Sequence, residues 1–313
     1  MVNVLANIAS ILIIVELVIG NFANVFIALV NCIDLINGQR ISSADGILSA
    51  LAVSRIGLLW AISINWYFTV FNSDIYRKQT EIIIRIAWAV TNHLSTWLAT
   101  SLSIFYLLKI ANFSNFVFLY LKKKERSVIL VIMLGTLMLL FPHLVIASIL
   151  ETMQMNENIG NVTQNTKLKD ITNFLNMTAF TLLNSIPFFI SLICVLLLIY
   201  SLCKHLRRMR LHGKGSQDPS TKVLVKALQT VISFLLLLAL YFVSLTISGW
   251  NSKKPVMLLC HAAGLLYPSS HSFVLIWGNK KLKETFVSVF WQARWCLKER
   301  KPPSPQMNNN DTR

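Results

Sequence analysis

Residues 227–249 read ALQTVISFLLLLALYFVSLTISG, a continuous run without a charged side chain. About 20 mostly apolar residues are enough for a helix to cross the hydrocarbon core of a bilayer. Six further stretches have the same character, so seven membrane-spanning helices are predicted, at residues 5–32, 46–68, 82–108, 127–150, 178–203, 227–249 and 255–276. The sequence therefore predicts an all-α, seven-transmembrane helix bundle over residues 1–300, followed by a disordered Pro- and Asn-rich tail at residues 301–313.

Positive charge is divided unevenly between the two ends of this predicted bundle. The chain has 29 Lys and Arg against 13 Asp and Glu, a formal net charge of +16. Twenty-one of the basic residues lie on the side that holds the C-terminus, and six lie on the other side. Because Lys and Arg are enriched in cytoplasmic loops, we expect the N-terminus outside and the C-terminus in the cytoplasm. Membrane spans separate the basic residues into short segments, which argues against a nucleic-acid partner.

The first predicted helix is expected to stay in place as an uncleaved anchor, because no small-residue cleavage site follows it. Polar side chains within the spans are candidates for contacts in the bundle core. The first helix carries Glu16, Asn21 and Asn24, and the second carries Arg55. Such groups face the bundle interior, and hydrogen bonding between helices is the favoured interpretation. A proton or ion relay would need several acids along one path, and Glu16 alone stands at mid-helix.

The outer half of the third predicted helix reads Trp88-Ala89-Val90-Thr91-Asn92-His93. Trp88 and Asn92 are four residues apart and share a helix face. Together they could line a pocket for a mostly apolar ligand with one or two polar groups. An interfacial aromatic belt with an interhelical amide is the equal alternative.

The segments between spans add predictions of their own. Residues 151–177 form the longest outside loop and carry two N-glycosylation patterns, at Asn161 and Asn176. The segment 204–226 is predicted as a helix extension, a break at Gly213, Gly215 and Pro219, and a second helix. The five cysteines lie outside the 151–177 loop, and Cys and His show no metal-ligand spacing, so neither a loop disulfide nor a metal or other cofactor is expected.

Several longer runs are specific enough to point to a family. They are Asn21-Phe22-Ala23-Asn24, Leu51-Ala52-Val53-Ser54-Arg55, WLATSLSIFYLLKIANFS at 97–114, SLCKHL at 201–206, and YPSSHSFVLI at 267–276 with NKKL at 279–282. Over nearly the whole chain this resembles a bitter taste receptor of the type 2 taste receptor family of G-protein-coupled receptors. Two differences from rhodopsin-like receptors agree with this resemblance. Phe105-Tyr106-Leu107 replaces Asp-Arg-Tyr in the third helix, and His271-Ser272-Phe273 replaces Asn-Pro-x-x-Tyr in the seventh.

The resemblance implies a multi-pass plasma-membrane receptor, not an enzyme, that binds small bitter compounds and activates gustducin or another inhibitory-class G protein. It also implies that family ligand-pocket positions fall on Trp66, Trp88, Asn92, His93, Asn184 and Tyr241. Tyr241 lies where an aromatic is thought to switch between resting and active packing. A structural role is the alternative for each residue: Trp66 in an aromatic belt, Asn184 beside a helix break near Pro187, Tyr241 in the core.

One position departs from the resemblance. His261 stands in the outer seventh helix where close relatives often carry an acid or an amide, and Gly264 follows one turn later. A neutral imidazole cannot hold a basic amine as a carboxylate does. We therefore expect ligand preference to shift away from strongly cationic bitter compounds. A histidine hydrogen-bonded between helices is the equal alternative.

On the cytoplasmic side, the resemblance predicts an opening that accepts the C-terminal helix of the G protein. The residues expected to border it are Tyr106, Lys109, Lys204, His205, Lys222 and Lys226. Contact with anionic membrane lipid is the alternative for the basic residues. Arg55 and His271 are expected to hold the inner bundle together. The sequence leaves a receptor oligomer open.

Other functions fit less well. A transporter would show inverted repeats with broken helices at matching positions, which the sequence lacks. A vomeronasal-type pheromone receptor has a similar size, but the third- and seventh-helix runs favour the taste family. The sequence has no extracellular domain that would indicate an adhesion role. It also has no set of catalytic residues that would indicate an enzyme.

Overall fold

The computed structural model describes residues 2–39, 42–71, 78–157, 162–211, 219–251 and 254–299. These residues form nine helices with no strand among them: α1 (Val2–Ile36), α2 (Ser43–Phe71), α3 (Lys78–Ile110), α4 (Phe116–Lys123), α5 (Glu125–Glu157), α6 (Val162–Leu211), α7 (Pro219–Trp250), α8 (Lys254–Gly278) and α9 (Lys280–Glu299). Each of the seven long helices, α1, α2, α3, α5, α6, α7 and α8, contains one of the seven predicted spans and extends beyond it. The prediction of an all-α membrane bundle is confirmed for the described residues.

Two of the long helices, α3 and α8, bury several polar side chains within the bundle. The helices α1, α2, α5, α6 and α7 are each long and apolar enough to cross a membrane. By contrast, α3 buries a series of polar side chains that includes Asn92 and Ser95, and α8 buries Ser269 and His271. Helix α3 packs against α2, α5 and α6, while α8 packs against α1, α2 and α7. Neighbouring helices therefore shield these polar groups from lipid.

The predicted outside loop at residues 151–177 is wrong in its conformation. Helix α5 continues to Glu157 and α6 begins at Val162, so most of this segment is helical. The segment contains no proline, and its single glycine, Gly160, lies outside the described residues. The polarity of this segment does not distinguish a loop from a helix, because a polar helix outside the bilayer also satisfies its own backbone hydrogen bonds.

The cytoplasmic connection between α6 and α7 follows the prediction where it is described. Helix α6 extends to Leu211, and α7 begins at Pro219, a residue favoured at the first position of a helix. Gly213 and Gly215 lie outside the described residues, as does the predicted tail at 301–313.

The short helix α4 was not predicted. The Asn115 side chain caps it by accepting a bond of 2.9 Å from the amide of Val117. The Lys122 ammonium donates to the carbonyl of Ala111, 2.9 Å away, and so ties α4 back to the end of α3.

Helix α9 was also not predicted. The Asn279 side chain caps it, accepting from the amides of the next turn. Its Phe286 ring packs edge-on against Phe26 of α1, with centroids 5.2 Å apart. Its Lys281 ammonium forms an ion pair with Asp34 at the inner end of α1. These contacts fix α9 against the cytoplasmic end of α1.

Glycines allow the closest helix contacts. A β-carbon on Gly20 of α1 would lie 2.9 Å from the Leu59 side chain of α2 and 3.0 Å from the β-carbon of Ser269 of α8. Such distances are shorter than side chains tolerate. Small residues at this point therefore bring α1, α2 and α8 together, as is common in membrane bundles.

Candidate functional site

Three of the predicted pocket residues join α3, α6 and α7 at one buried point. The Asn92 amide donates to the side-chain oxygen of Asn184, 2.9 Å away, and the Tyr241 hydroxyl donates to the side-chain oxygen of Asn92. Asn92 and Tyr241 are each 2% exposed. We call these three residues the Asn92 cluster. The Tyr241–Asn92 bond is buried and the Asn92–Asn184 bond is part-buried, so breaking the first leaves a buried polar group without a partner.

An aromatic layer lies one helical turn outward from the cluster. The Trp88 ring of α3 packs against Phe180 of α6, with centroids 5.2 Å apart. The Asn184 amide also donates to the carbonyl of Phe180, 2.9 Å away. The arrangement offers apolar surface above and hydrogen-bonding groups below. That combination suits a mostly apolar ligand with a polar group.

Helix α8 lies beside Tyr241. A β-carbon on Gly264 would lie 4.0 Å from the Tyr241 ring, an ordinary van der Waals distance, so this position of α8 lies beside the ring. His261 lies three residues earlier, and its Nδ1 atom is buried without a hydrogen-bond partner. Gly264 therefore belongs beside the Asn92 cluster, and His261 offers one unsatisfied polar atom near it in sequence.

The space at this point is small. The cavity measures about 10 Å³ and is lined by Thr96, Thr100, Asn184, Pro187, Phe188, Leu238, Tyr241, Phe242 and Leu245. A volume of this size accommodates about one water molecule, whereas small-molecule sites measure roughly 300–1,000 Å³. The helices are therefore packed closed around the Asn92 cluster.

Two predicted pocket residues face elsewhere. The Trp66 indole donates to the Ser10 hydroxyl of α1, 3.1 Å away. The His93 Nε2 atom lies 3.0 Å from the carbonyl of Thr136 in α5. The structure thus does not bring Trp66 or His93 to the Asn92 cluster.

Sequence reasoning missed the residues that join the outer ends of α6 and α7. The Trp250 indole donates to the Thr181 hydroxyl, 3.1 Å away, and its ring packs edge-on against Phe174 at 5.7 Å. Phe180 was missed as well, although it precedes Asn184 by four residues and shares its helix face. That spacing was visible in the sequence, but the partner Trp88 on another helix was not.

Inward from the Asn92 cluster, aromatic rings continue through the bundle. The Tyr241 ring stacks on Tyr267 with centroids 5.0 Å apart, and Tyr267 stacks on His271 at 5.4 Å. The Arg55 guanidinium lies 4.8 Å from the centre of the Tyr267 ring. A chain of side-chain contacts therefore links the outer cluster to the inner half of the bundle.

Arg55 then connects this stack to α1 and α8. It donates to the Ser272 hydroxyl at 3.2 Å and to the Nδ1 atom of His271. Ser272 in turn donates to the Asn24 side chain at 2.8 Å, and Asn24 donates to the carbonyl of Pro268 at 3.1 Å. Arg55, His271 and Asn24 thus lie in one network.

Glu16 lies apart from that network. Its side chain is 9% exposed, and one carboxyl oxygen is buried without a partner. It precedes the close contact at Gly20 by one helical turn, so it lies among α1, α2 and α8 in the outer half of the bundle.

A second, larger space opens between the cytoplasmic ends of α3, α6 and α7. It measures about 450 Å³ and is lined by Ile110, Leu202, His205, Met209, Val223, Leu224 and Ala227. We call it the inner cleft. Lys204, Lys222 and Lys226 are exposed on the same helices. Its walls are therefore apolar, and basic side chains lie nearby.

Two residues predicted for the cytoplasmic face have other contacts. Lys109 lies 3.9 Å from the carboxylate of Glu125, at the start of α5. Tyr106 is half-buried and packs on Phe105, with ring centroids 5.8 Å apart. Both lie on α3 beside the inner cleft, but neither lines it.

The remaining predictions concern modification and metals. Asn161 lies outside the described residues, and Asn176 lies within α6. No group of three or more His, Cys, Asp or Glu suited to a metal occurs among the described residues. Cys32, Cys194, Cys203 and Cys260 are unpaired.

A bundle of seven long helices, with a polar cluster between its outer halves and a cleft at its inner face, is the architecture of a G-protein-coupled receptor. The family model "Taste receptor protein (TAS2R)" matches residues 1–294. The chain is 56% identical to taste receptor type 2 member 43 of Homo sapiens and 55% identical to member 20 of the same species, over 97% of this chain and 100% of each relative. Member 43 of Pan paniscus is also 56% identical, with the same coverage. The chain therefore belongs to the type 2 taste receptor family of bitter taste receptors, which are membrane receptors and not enzymes.

Proposed function

We propose that this receptor binds small bitter compounds between the outer halves of α3, α6, α7 and α8, and that it activates gustducin or another inhibitory-class G protein at the plasma membrane. The observation that carries the proposal is the position of Asn92. It bonds Asn184 and Tyr241 at once and so joins three helices at one buried point. A ligand that competes for these bonds changes how the three helices pack.

An agonist would place its apolar part against Trp88 and Phe180 and direct a polar group toward the Asn92 amide. The cavity of about 10 Å³ must widen to admit it. An agonist favours the widened packing only by binding it more tightly than the closed one. In this proposal the Asn92 cluster holds the closed packing, and an agonist replaces its hydrogen bonds.

His261 would influence which compounds bind. Its buried Nδ1 atom has no partner and is available to a ligand. A neutral imidazole provides a hydrogen bond without negative charge, so it selects neutral or weakly polar compounds over strongly cationic ones.

The inner cleft would receive the G protein. Displacement of Tyr241 is transmitted through the stacked Tyr267 ring to His271 and Arg55. Movement of α7 against α3 and α6 then enlarges the inner cleft. Its apolar walls suit the apolar face of a helix, and Lys204, His205, Lys222 and Lys226 suit that helix's C-terminal carboxylate.

Mutation of the Asn92 cluster tests the ligand site. Cells expressing the receptor with a promiscuous G protein are screened for calcium release against a panel of bitter compounds. The Asn92→Ala variant removes the amide toward which an agonist would direct its polar group, and we expect agonists that carry such a group to lose tenfold or more in potency relative to wholly apolar agonists. His93→Gln is the matched control, since His93 lies next in sequence but faces α5. Equal effects of the two substitutions, at equal surface expression, would contradict the proposed site.

The coupling proposal needs a separate measurement. Energy transfer between Gα and Gβγ subunits is recorded on agonist addition for inhibitory-class and for other Gα subunits. We expect the inhibitory class to dissociate. A Leu224→Glu substitution, which places a charge in the inner cleft, should abolish dissociation while agonist binding persists. Robust coupling by that variant would exclude the inner cleft as the G-protein site.

A further inference from the structure

Helix α4 turns apolar side chains away from the bundle. Phe116 is 81% exposed, Val117 61% and Tyr120 52%. Phe116 and Val117 lie four and three residues before Tyr120, so the three side chains share one face of the helix. The opposite face is packed, because the Phe118 ring lies edge-on against Phe113 with centroids 5.1 Å apart. An exposed apolar patch of this kind marks a contact with a partner or with a membrane.

Positive charge follows on the same side of α4. Lys123 is the last residue of the helix and Lys124 caps it, and both side chains are exposed. The Lys124 ammonium lies 5.3 Å from the centre of the Tyr120 ring, so it borders the apolar side chains directly. The next carboxylate along the chain, Glu125, lies 3.9 Å from Lys109 instead. Among the described residues, neither Lys123 nor Lys124 has an ion-pair partner.

The helices on either side of α4 fix its depth in the membrane. Helix α3 ends at Ile110, and the apolar span of α5 begins at Glu125, directly after α4. The Lys122 ammonium donates to the carbonyl of Ala111, 2.9 Å away, and ties α4 to the end of α3. Because both neighbouring helices reach the bilayer boundary here, α4 lies at the level of the lipid headgroups on the basic, cytoplasmic side.

We propose that this surface binds anionic phospholipid of the cytoplasmic leaflet. The α4 face is defined as Phe116, Val117, Tyr120, Lys123 and Lys124. Its apolar side chains enter the boundary between headgroups and acyl chains, as in interfacial amphipathic helices. Its two ammonium groups lie against the headgroups of phosphatidylserine, whose net charge is negative. The contact holds the segment between α3 and α5 against the bilayer.

A protein partner suits the α4 face less well. The inner cleft, where a G-protein helix is proposed to enter, is lined by residues of α3, α6 and α7 and by none of α4. A stable protein interface uses roughly 20–30 residues on each side, far more than the α4 face offers. A bilayer needs no such area, since α3 and α5 already hold α4 beside it.

Hydrogen exchange of the purified full-length receptor in nanodiscs tests the proposal, without agonist or G protein. The bilayers contain phosphatidylcholine alone or phosphatidylcholine with phosphatidylserine. We expect the amides of α4 to exchange more slowly with phosphatidylserine, because docking restrains the helix. Equal exchange of α4 in the two bilayers would overturn the proposal. Slowing that appears only after a G protein is added would also overturn it, and would assign the α4 face to that partner.

Lys123→Gln is the decisive variant, because the Lys123 side chain is exposed and its loss leaves the packed face of α4 intact. A lysine beside an anionic surface contributes roughly fivefold to binding, so the slowing by phosphatidylserine should fall about fivefold. Lys222→Gln is the matched control, since it removes the same charge from an exposed position of α7. An equal loss in the two variants would show a general charge effect and overturn the proposal.

Photocrosslinking identifies what lies on the α4 face. The amino acid p-benzoylphenylalanine, which bonds to neighbouring C–H groups under ultraviolet light, is incorporated in place of Phe116. We expect a phosphatidylserine adduct on α4 in the mixed bilayer, in a larger share than phosphatidylserine has of the lipid. Incorporation in place of Leu130, which is 61% exposed on the apolar span of α5, is the control and should give adducts in proportion to lipid composition. Adducts at Leu130 with none at Phe116 would overturn the proposal.

Discussion

Replacing Tyr241 with phenylalanine removes one hydroxyl from the bundle and changes little else. The ring that stacks on Tyr267 at 5.0 Å is retained. The Asn92 side-chain oxygen loses its donor from α7. The substitution therefore isolates the bond that ties α7 to α3.

The size of the effect follows from burial. Both partners are 2% exposed, so water does not replace the lost donor. A buried acceptor left without a partner costs about 1–3 kcal/mol. Since about 1.4 kcal/mol corresponds to a tenfold change in an equilibrium constant, the closed packing loses about tenfold or more in population relative to the open one. We expect Tyr241→Phe to raise agonist-independent signalling accordingly, until the signal saturates.

The assay is basal inositol phosphate accumulation with a promiscuous G protein, normalised to receptor at the cell surface. Tyr200→Phe serves as the matched control, because the Tyr200 ring is 59% exposed on the outside of α6. Thermal unfolding of the two purified variants is measured in parallel. If Tyr241→Phe matched the unmodified receptor in both basal signalling and unfolding midpoint, the bond would carry no energy and the reasoning would fail.

Three further predictions concern packing, ligand charge and the cytoplasmic helix. Gly20→Val overpacks the contact of α1 with α2 and α8 and should destabilise the receptor by about 1–3 kcal/mol in thermal unfolding. Gly135→Ala is the control and should not destabilise it, because an added β-carbon there meets nothing within 4 Å. Equal unfolding midpoints for the two variants would contradict this prediction. His261→Glu should increase potency for cationic bitter compounds in calcium assays and leave neutral compounds unaffected, and no gain for cations would exclude a ligand contact at this position. Lys281→Met leaves the carboxylate on α1 unpaired and should weaken the docking of α9 by less than about 1 kcal/mol, because the Lys281 side chain is 39% exposed. The change is detected as faster hydrogen exchange in α9, with Lys280→Met as the unaffected control. Matching exchange in the two variants would show that this ion pair does not hold α9.

Hydrophobic runs were sufficient to predict the seven spans, because a lipid-exposed helix must be apolar along its length. Helices α3 and α8 were also recognised from their hydrophobic runs, although both bury polar residues. Their polar residues, such as Ser95 and Ser269, reduce overall apolarity, yet they are buried against other helices. Long apolar stretches flanking these residues still allowed both spans to be recognised.

Helices outside the bilayer were harder to predict. Helix α4 is eight residues long and depends on contacts with the end of α3, such as that of Lys122 with the carbonyl of Ala111. Helix α9 depends on Asn279 as a cap and on the fit of Phe286 against α1. These are tertiary contacts, and no periodicity within the segment specifies the partner.

The candidate ligand site was predictable only in part, because it too depends on contacts between helices. Trp88 and Asn92 share a face of α3, which spacing along one helix reveals. The pairing of Asn92 with Asn184 and Tyr241 joins three helices, and only the resemblance to a family suggested it. Trp66 has the same chemical character as Trp88, but its hydrogen bond to Ser10 depends on the rotation of α2 against α1. Composition does not encode that rotation.

Pro187 divides helix α6 into two arms of about equal length. Its 50 residues run from Val162 to Leu211, and Pro187, which donates no backbone hydrogen bond, lies at the middle. At 1.5 Å per residue each arm is about 36 Å long. A tilt about Pro187 moves the end beyond Phe180 and the end beside the inner cleft by similar distances in opposite directions. For a rigid tilt of α6, a displacement at the outer surface would therefore equal the displacement at the cytoplasmic end.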